Sequence, residues 1–220
     1  MKIVSPDGDA GFPGEITYRL IFTLTDENSL ILNSGATTTK RTPLNSTNHA
    51  YFNLDGDPTK DIFDYQIQIN AHSAAGIKED DVADGTIIEI PQGDELDFYS
   101  KPKSLKKDID LTKGIFQYSK GYDFSYYLDS NQKVNASVYS PLSHIKLEVI
   151  TDRPVINFYD AHDLNGEMTG KNNISYNSCC AFCVEGQAFC NAVNDNLYLN
   201  SILSPGQIFT STTEYKFSVE

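Results

Sequence analysis

Residues 16–24 read Ile16-Thr17-Tyr18-Arg19-Leu20-Ile21-Phe22-Thr23-Leu24. Apolar side chains stand at every second position of this stretch, and mostly polar ones stand between them. A period of two places the apolar set on one face of a β-strand. The stretch therefore predicts a strand that turns one apolar face toward a core.

Similar signals recur at short intervals along the rest of the chain. Further strands are predicted around residues 30–32, from residue 37 into the polar stretch that follows, and at residues 65–69, 86–90, 125–128, 134–138, 145–149, 155–159, 181–184 and 215–219. No window of helical length shows an apolar stripe with a period of 3.6 residues. Many short strands predict an all-β sandwich or barrel. Because no repeat, linker or break in composition divides the chain, we expect one domain over residues 1–220.

The composition limits the classes of function. The chain has 220 residues, of which 40% are hydrophobic, and this is enough for a globular core. The net charge of −13 disfavours nucleic acid and anionic membranes as partners, because phosphate binding needs clustered Lys and Arg. Residues 1–7 contain no apolar core of a signal peptide, and no later run is long enough to span a membrane. We therefore expect a cytoplasmic protein.

The four cysteines, Cys179, Cys180, Cys183 and Cys190, fall within twelve residues, whereas a disulfide framework would spread pairs along the chain. Cys180-x-x-Cys183 has the spacing of a zinc or iron–sulfur ligand pair. No second Cys-x-x-Cys and no nearby His completes such a set. The pattern therefore favours reduced thiols that pack as small apolar side chains, with no metal.

A polar stretch contains the first candidate site, and it reads Thr42-Pro43-Leu44-Asn45-Ser46-Thr47-Asn48-His49-Ala50-Tyr51-Phe52-Asn53-Leu54. Its amides can donate and accept hydrogen bonds, its imidazole can exchange a proton near neutral pH, and its rings can stack on a sugar or a base. Asn, Ser and Thr are also ordinary turn residues. Chemistry alone leaves both interpretations open.

The stretch resembles the Thr-Pro-Val-Asn-Leu-Thr-Asn-His-Ser-Tyr-Phe-Asn-Leu signature of the aldose 1-epimerases, also called galactose mutarotases. Similar matches extend along nearly the whole chain. They comprise Ser5 to Glu15, Asp97-Phe98 with Lys101-Pro102, Gly121-Tyr122-Asp123, Phe182-Cys183-Val184-Glu185-Gly186-Gln187, Ala192-Val193-Asn194 and Leu203-Ser204-Pro205-Gly206. The resemblance implies a large antiparallel β-sandwich, in agreement with the strand pattern.

The resemblance also implies roles for individual residues. Glu185 would be the general base that takes the proton of the anomeric hydroxyl, and His49 would be the general acid that protonates the ring oxygen. Asp123, Asn48 and Gln187 would bind the substrate, an aldohexose such as galactose or glucose. The reaction needs no cofactor. Without the resemblance, Glu185 would be read as a surface carboxylate and Asp123 as a turn residue.

The resemblance has gaps. Family members carry a segment ahead of the Ser-Pro-Asp-Gly match, with a sugar-contacting Arg and a second active-site His, and the sequence begins at that match. Phe124, Gly186 and Asn191 also replace a His, a Thr and an Asp of the family pattern. We therefore expect a sandwich without the N-terminal strands, whose exposed sheet edges favour self-association. A catalytically weak or inactive carbohydrate-binding relative, or a fragment of a longer protein, stays open as an alternative.

Overall fold

The computed structural model describes residues 1–79, 82–106, 109–130, 132–194 and 201–220. These residues form fourteen strands, one short helix and three 3₁₀ turns. The strands are β1 (Lys2–Ser5), β2 (Ile16–Leu24), β3 (Ser29–Thr38), β4 (Thr42–Pro43), β5 (Gln66–Ile69), β6 (Ser73–Ile77), β7 (Ala83–Glu89), β8 (Asp123–Tyr127), β9 (Ala136–Tyr139), β10 (Ile145–Thr151), β11 (Val155–Tyr159), β12 (Cys183–Gln187), β13 (Ile202–Leu203) and β14 (Phe209–Val219). The helix, α1, covers Phe116–Ser119, and the 3₁₀ turns are Asp9–Gly11, Lys171–Asn173 and Ala192–Asn194.

Nearly all of the regular structure belongs to two antiparallel sheets. Seven strands form the first sheet in the order β1-β2-β3-β14-β10-β9-β5, and five form the second in the order β12-β11-β8-β6-β7. β4 and β13 make a separate two-stranded pair. Strands from both ends of the chain lie in the first sheet, and this supports the proposal that residues 1–220 form one domain.

The two sheets pack face to face, and a large apolar core lies between them. Leu147, Val149 and Tyr215 come from the first sheet, and Phe124 and Phe158 come from the second; all are at most 1% exposed. The alternation of side chains along a strand leaves the second face of the five-stranded sheet outside this core. That second face carries the candidate site.

The predicted all-β sandwich is confirmed, and most predicted strands are present. Residues 30–32 and 37 were expected in separate strands, but β3 continues through Gly35 because β2 and β14 pair with it on both sides. β14 begins six residues before the predicted start at residue 215. The sequence pattern missed β1, β6 and β13. β6 is rich in small residues and lacks a β-branched alternation.

The apolar face of β2 is only partly covered. Strand pairing places Phe22 and Leu24 on the same face as the core residue Leu32, yet their exposed fractions are 47% and 79%. Ile3 of the neighbouring edge strand β1 is 47% exposed on this face. The alternation therefore predicted the strand correctly, but not its burial, because the five-stranded sheet does not extend over this edge in the described residues.

The described residues contain no helix long and apolar enough to cross a membrane. A cytoplasmic location stays a prediction.

Candidate active site

Two pairs of hydrogen bonds, one on each side of His49 in the sequence, place this residue over β12. The Asn45 side chain accepts a hydrogen bond from Ala188 N at 2.8 Å and donates to Ala188 O at 3.3 Å. Phe52 exchanges two backbone hydrogen bonds with Phe182, at 2.8 and 3.0 Å. The polar stretch therefore runs antiparallel to β12 between these anchors, and His49, near their midpoint, meets Glu185.

The second face of the five-stranded sheet brings the other candidates together. The register aligns Glu185 of β12 with Asn157 of β11, and Asn157 with Ser125 of β8. One row away, Asp123 starts β8, and Gln187 lies two residues beyond Glu185 on the same face of its strand. Side chains that are far apart in sequence become neighbours because adjacent strands lie about 4.8 Å apart.

The proposed acid and base are in contact. His49 Nε2 lies 3.3 Å from Glu185 Oε1, and the side chains are 54% and 6% exposed. The His49 ring also packs against the rings of Tyr51 and Tyr159, with centroid distances of 5.1 and 6.2 Å. The pair thus combines a half-exposed imidazole that can turn with a buried carboxylate.

Burial changes the chemistry of Glu185. Desolvation raises the pKa of this carboxyl from 4.5 to about 7, with the attraction of His49 opposing the rise and the negative charge of Asp123 adding to it. A carboxyl that titrates near neutral pH can both take and return a proton at that pH. The residue is therefore well matched to reversible proton transfer.

A polar cavity of about 220 Å³ lies on the same sheet face as Glu185, although neither His49 nor Glu185 is among the described residues that line it. Its walls are Ala75, Ile77, Ala83, Asp123, Ser125, Asn157, Gln187 and Cys190. A larger cavity of about 470 Å³ lies beyond Tyr51, but its walls are mostly apolar, including Leu164 and Met168. A sugar needs hydrogen-bonding partners for its hydroxyls, so the smaller cavity is the better match.

Asp123 is held by a residue that the sequence did not single out. Asn157 Nδ2 donates to Asp123 Oδ1 at 2.7 Å, and Ser125 Oγ donates to Asn157 Oδ1 at 2.7 Å. Burial raises the pKa of Asp123, and the hydrogen bond from Asn157 opposes the rise. Asn157 could have been noticed as the polar residue in the apolar run of β11. Its proximity to Asp123 is a product of strand pairing.

Two more polar groups complete the network. Cys190 Sγ lies 2.8 Å from Ser125 Oγ and accepts a hydrogen bond from Gln187 Nε2 at 3.3 Å. Four of the five sequence candidates therefore lie together. Glu185, Asp123 and Gln187 are on the second face of the five-stranded sheet, and His49 lies in the loop over that face.

Asn48 is placed differently from these four. Its Nδ2 donates to the hydroxyl of core residue Tyr215 at 3.4 Å, so this side chain contacts the core side of the sandwich. Asn53 and Asn45 also hold backbone groups, Asn53 by donating to Cys180 O at 2.9 Å. The contacts of these amides are those of anchor residues, and the substrate-binding role expected for Asn48 stays a prediction.

Two departures from the family pattern have a local structural explanation. The Phe124 side chain lies in the core, 1% exposed, on the sheet face opposite to Asp123. At Gly186 a Cβ atom would lie 2.5 Å from Thr151 Oγ1 of the other sheet, so Gly allows this close approach. Asn191 instead bonds the Ala83 backbone, with 2.9 Å from Nδ2 to the carbonyl oxygen. The first two changes therefore leave the polar face of the sheet unaltered.

Fold and site define a class: an antiparallel β-sandwich with a carboxylate–imidazole pair above a polar sheet face. A family model described as aldose 1-epimerase matches residues 1–216. The chain therefore belongs to the aldose 1-epimerase family.

Relatives and solved structures agree with this membership. Galactose mutarotase of Bos taurus is 34% identical over 219 residues, which is 98% of this chain and 61% of the relative. Aldose 1-epimerase of Escherichia coli strain K12 is 30% identical over 221 residues, 98% of this chain and 62% of the relative. The chain thus spans about three fifths of the length of these curated relatives.

Two crystal structures are similar over 99% of this chain. An aldose epimerase homologue from C. elegans superposes with a TM-score of 0.86 at 25% identity, and 64% of its chain is covered. Galactose 1-epimerase from Lactobacillus acidophilus NCFM gives a TM-score of 0.84 at 26% identity, with 61% covered. Both likenesses support the sandwich fold.

Proposed function

We propose that the chain interconverts the α and β anomers of aldohexoses such as galactose or glucose, with Glu185 and His49 as the base and acid. The observation that carries this proposal is the contact of a buried carboxylate with a half-exposed imidazole, on a sheet face that also lines a polar cavity. Family membership and the names of the relatives support the reaction class.

The mechanism follows from the two groups. Glu185 takes the proton of the anomeric hydroxyl while His49 protonates the ring oxygen, so the C1–O5 bond breaks and the open-chain aldehyde forms. Rotation about C1–C2 turns the other face of the carbonyl toward the C5 hydroxyl. Closure with the roles of acid and base exchanged then gives the other anomer. Atoms and charge balance without a redox step.

In this proposal a bound sugar replaces the direct contact of the pair. Each proton transfer needs a heavy-atom distance of about 2.6–3.2 Å, so Glu185 and His49 turn from each other toward the two oxygens of the hemiacetal carbon. His49 is the group that moves more, because its side chain is 54% exposed and Glu185 is held on a central part of β12.

Asp123 and Gln187 bind sugar hydroxyls in this proposal, and Asn157 orients Asp123. Asp123 and Gln187 lie in the wall of the polar cavity, and Asn157 is hydrogen bonded to Asp123. Asn48 was expected to bind the sugar directly, but its contact with Tyr215 supports a role in positioning the loop that carries His49.

The second candidate function is sugar binding without turnover. The observation that favours it is the shortage of cations: among the described residues that line the polar cavity there is no Lys or Arg to stabilise a developing oxyanion.

Polarimetry of freshly dissolved α-D-galactose and α-D-glucose tests both candidates. Mutarotation faster than in buffer, saturating with sugar concentration, supports the enzyme. Calorimetric sugar binding without acceleration supports the binding protein. Neither binding nor acceleration contradicts both.

A further inference from the structure

Three metal-ligating side chains of different kinds converge at the candidate pair. His49, Cys183 and Glu185 each bring one ligand atom within 4.8 Å of the other two. Cys183 Sγ lies 3.5 Å from His49 Nδ1, and Glu185 Oε1 lies 3.3 Å from His49 Nε2. Among the residues that the structure describes, no other three His, Cys, Asp or Glu side chains converge in this way.

We propose that His49, Cys183 and Glu185 bind Zn²⁺, which blocks the proposed catalytic pair and competes with the sugar. A thiolate, an imidazole and a carboxylate are the three ligand types that zinc takes in proteins. The soft sulfur ligand disfavours Mg²⁺ and Ca²⁺, which prefer oxygen ligands alone. Three protein ligands leave the fourth tetrahedral position for water.

The distances need a small adjustment. Zinc bonds of about 2.0–2.3 Å place tetrahedral ligand atoms roughly 3.3–3.8 Å apart. The two measured ring contacts fall in this range, but they use different nitrogen atoms of His49. Its ring must therefore turn to present one nitrogen, and the widest separation in the group must shorten by roughly 1 Å. The exposure of the ring allows this turn, and the Cys183 and Glu185 side chains can adjust by rotation while their backbones stay in place on β12.

The surroundings favour a cation at this point. Glu185 Oε1 is buried and accepts no hydrogen bond of good geometry, despite its 3.3 Å approach to the His49 ring. A buried carboxylate oxygen without a partner is costly, and a bound cation would supply that partner. On binding, the Cys183 thiol releases its proton to water, so the site gains a thiolate without any redox change.

The proposed site differs from the motif seen in the sequence. Cys180-x-x-Cys183 suggested a pair of cysteine ligands, but Cys180 lies in the wall of the larger apolar cavity, outside the group of three. Cys180→Ser is therefore a matched control for Cys183→Ser.

Metal titration tests the site without relying on activity. Zn²⁺ binding is measured by calorimetry, and Co²⁺ serves as a spectroscopic probe because a cobalt–thiolate bond gives a charge-transfer band. We expect one Zn²⁺ per chain, and a Co²⁺ band lost in Cys183→Ser but kept in Cys180→Ser. Zinc affinity should fall at least about tenfold in His49→Ala. The His49 side chain is half exposed, so its removal should leave the fold intact.

The competition with sugar rests on the proposed function and has a separate test. Zn²⁺ should weaken galactose binding in calorimetry or slow mutarotation, in both cases competitively and reversibly by chelator. Binding of zinc without this competition would contradict the inhibitory part of the proposal. Absence of zinc binding, or binding insensitive to His49→Ala and Cys183→Ser, would overturn the site itself, whether or not the chain is an active epimerase.

Discussion

Glu185 shows how burial turns an ordinary carboxylate into a candidate base. Its side chain is 6% exposed, and burial raises its pKa to about 7. Between pH 4.5 and about 7 the folded chain therefore holds a proton that the unfolded chain has released. Folding stability contributed by this group is present below pH 4.5 and is lost as the pH rises toward 7.

Glu185→Gln should accordingly gain stability relative to the unchanged chain as the pH rises. The difference in unfolding free energy between Glu185→Gln and the unchanged chain should grow between pH 4.5 and about 7 and stay constant above that pH. It should reach up to about 3 kcal/mol, since each pKa unit corresponds to about 1.4 kcal/mol. Urea unfolding at several pH values measures it. A gap that is the same at pH 5 and pH 8 would show that Glu185 has an ordinary pKa.

Asn157 is the second residue whose role can be tested alone. Asn157→Leu removes the donor to Asp123 Oδ1 and leaves a partly buried carboxylate with one partner fewer. We expect sugar affinity to fall about tenfold, the cost of an unmade buried hydrogen bond, and the pKa of Asp123 to rise further. Calorimetric titration with galactose and an NMR titration of the Asp123 carboxyl check these outcomes.

Asn33→Ala is the control for that substitution, because Asn33 is exposed on β3 and accepts a hydrogen bond from Thr212 Oγ1. Equal effects of the two changes, or a change in stability without a change in sugar affinity, would argue against a positioning role for Asn157.

At the scale of elements, the two sheets approach each other closely at Gly186. A Cβ atom there would lie 2.5 Å from Thr151 Oγ1 of β10 and 3.1 Å from Thr213 Oγ1 of β14. Gly186→Ala should destabilise the fold by about 1–3 kcal/mol, the usual cost of overpacking. Chemical unfolding measures this loss.

Thr151→Ala should recover part of it, since the nearest clashing atom is removed, and the two changes together form a double-mutant cycle. Strictly additive effects would show that the sheets have room at this point. Gly186→Ala that is neutral by itself would lead to the same conclusion.

The sequence predicted those strands that have a local pattern of their own. β2 and β11 have patterns of their own, an alternation and a short apolar run, and the predicted bounds match both strands. β3 was divided because Gly35 interrupts its pattern, although pairing with two neighbouring strands carries it through. β6 contains four small residues, so its place in the sheet depends on its partners, and its sequence carries no local strand signal.

The candidate site was predictable only in part for a related reason. His49, Glu185 and Asp123 came from a resemblance to known sequences, and no local pattern predicted a buried Glu185. Asn157 and Cys183 come to the site through strand register and through a loop anchored at both ends. Contacts of this kind depend on long-range pairing and not on neighbours in the sequence.

At the scale of the whole molecule, the uncovered edge of the first sheet is the most conspicuous feature. Phe22 and Leu24 lie on the core-facing side of β2, 47% and 79% exposed. We expect this surface to associate with a second copy of the chain at high concentration. Sedimentation of Phe22→Ser should show a smaller associated fraction than the unchanged chain, because apolar area leaves the contact.

Ile21→Ser is the matched control, since Ile21 is 61% exposed on the opposite face of the same strand. A monomer at all concentrations, or equal effects of the two substitutions, would contradict association through this face.

The effect of Glu185→Gln on the rate of anomer exchange tests the central claim most directly. Polarimetry compares the unchanged chain with Glu185→Gln and with the control Glu27→Gln, whose side chain is exposed in the turn after β2. An amide keeps the shape of the carboxylate but cannot accept the hydroxyl proton. The account predicts acceleration above the buffer rate that falls by a factor of about 10²–10⁴ in Glu185→Gln and is unchanged in Glu27→Gln. Acceleration that survives Glu185→Gln undiminished would contradict it.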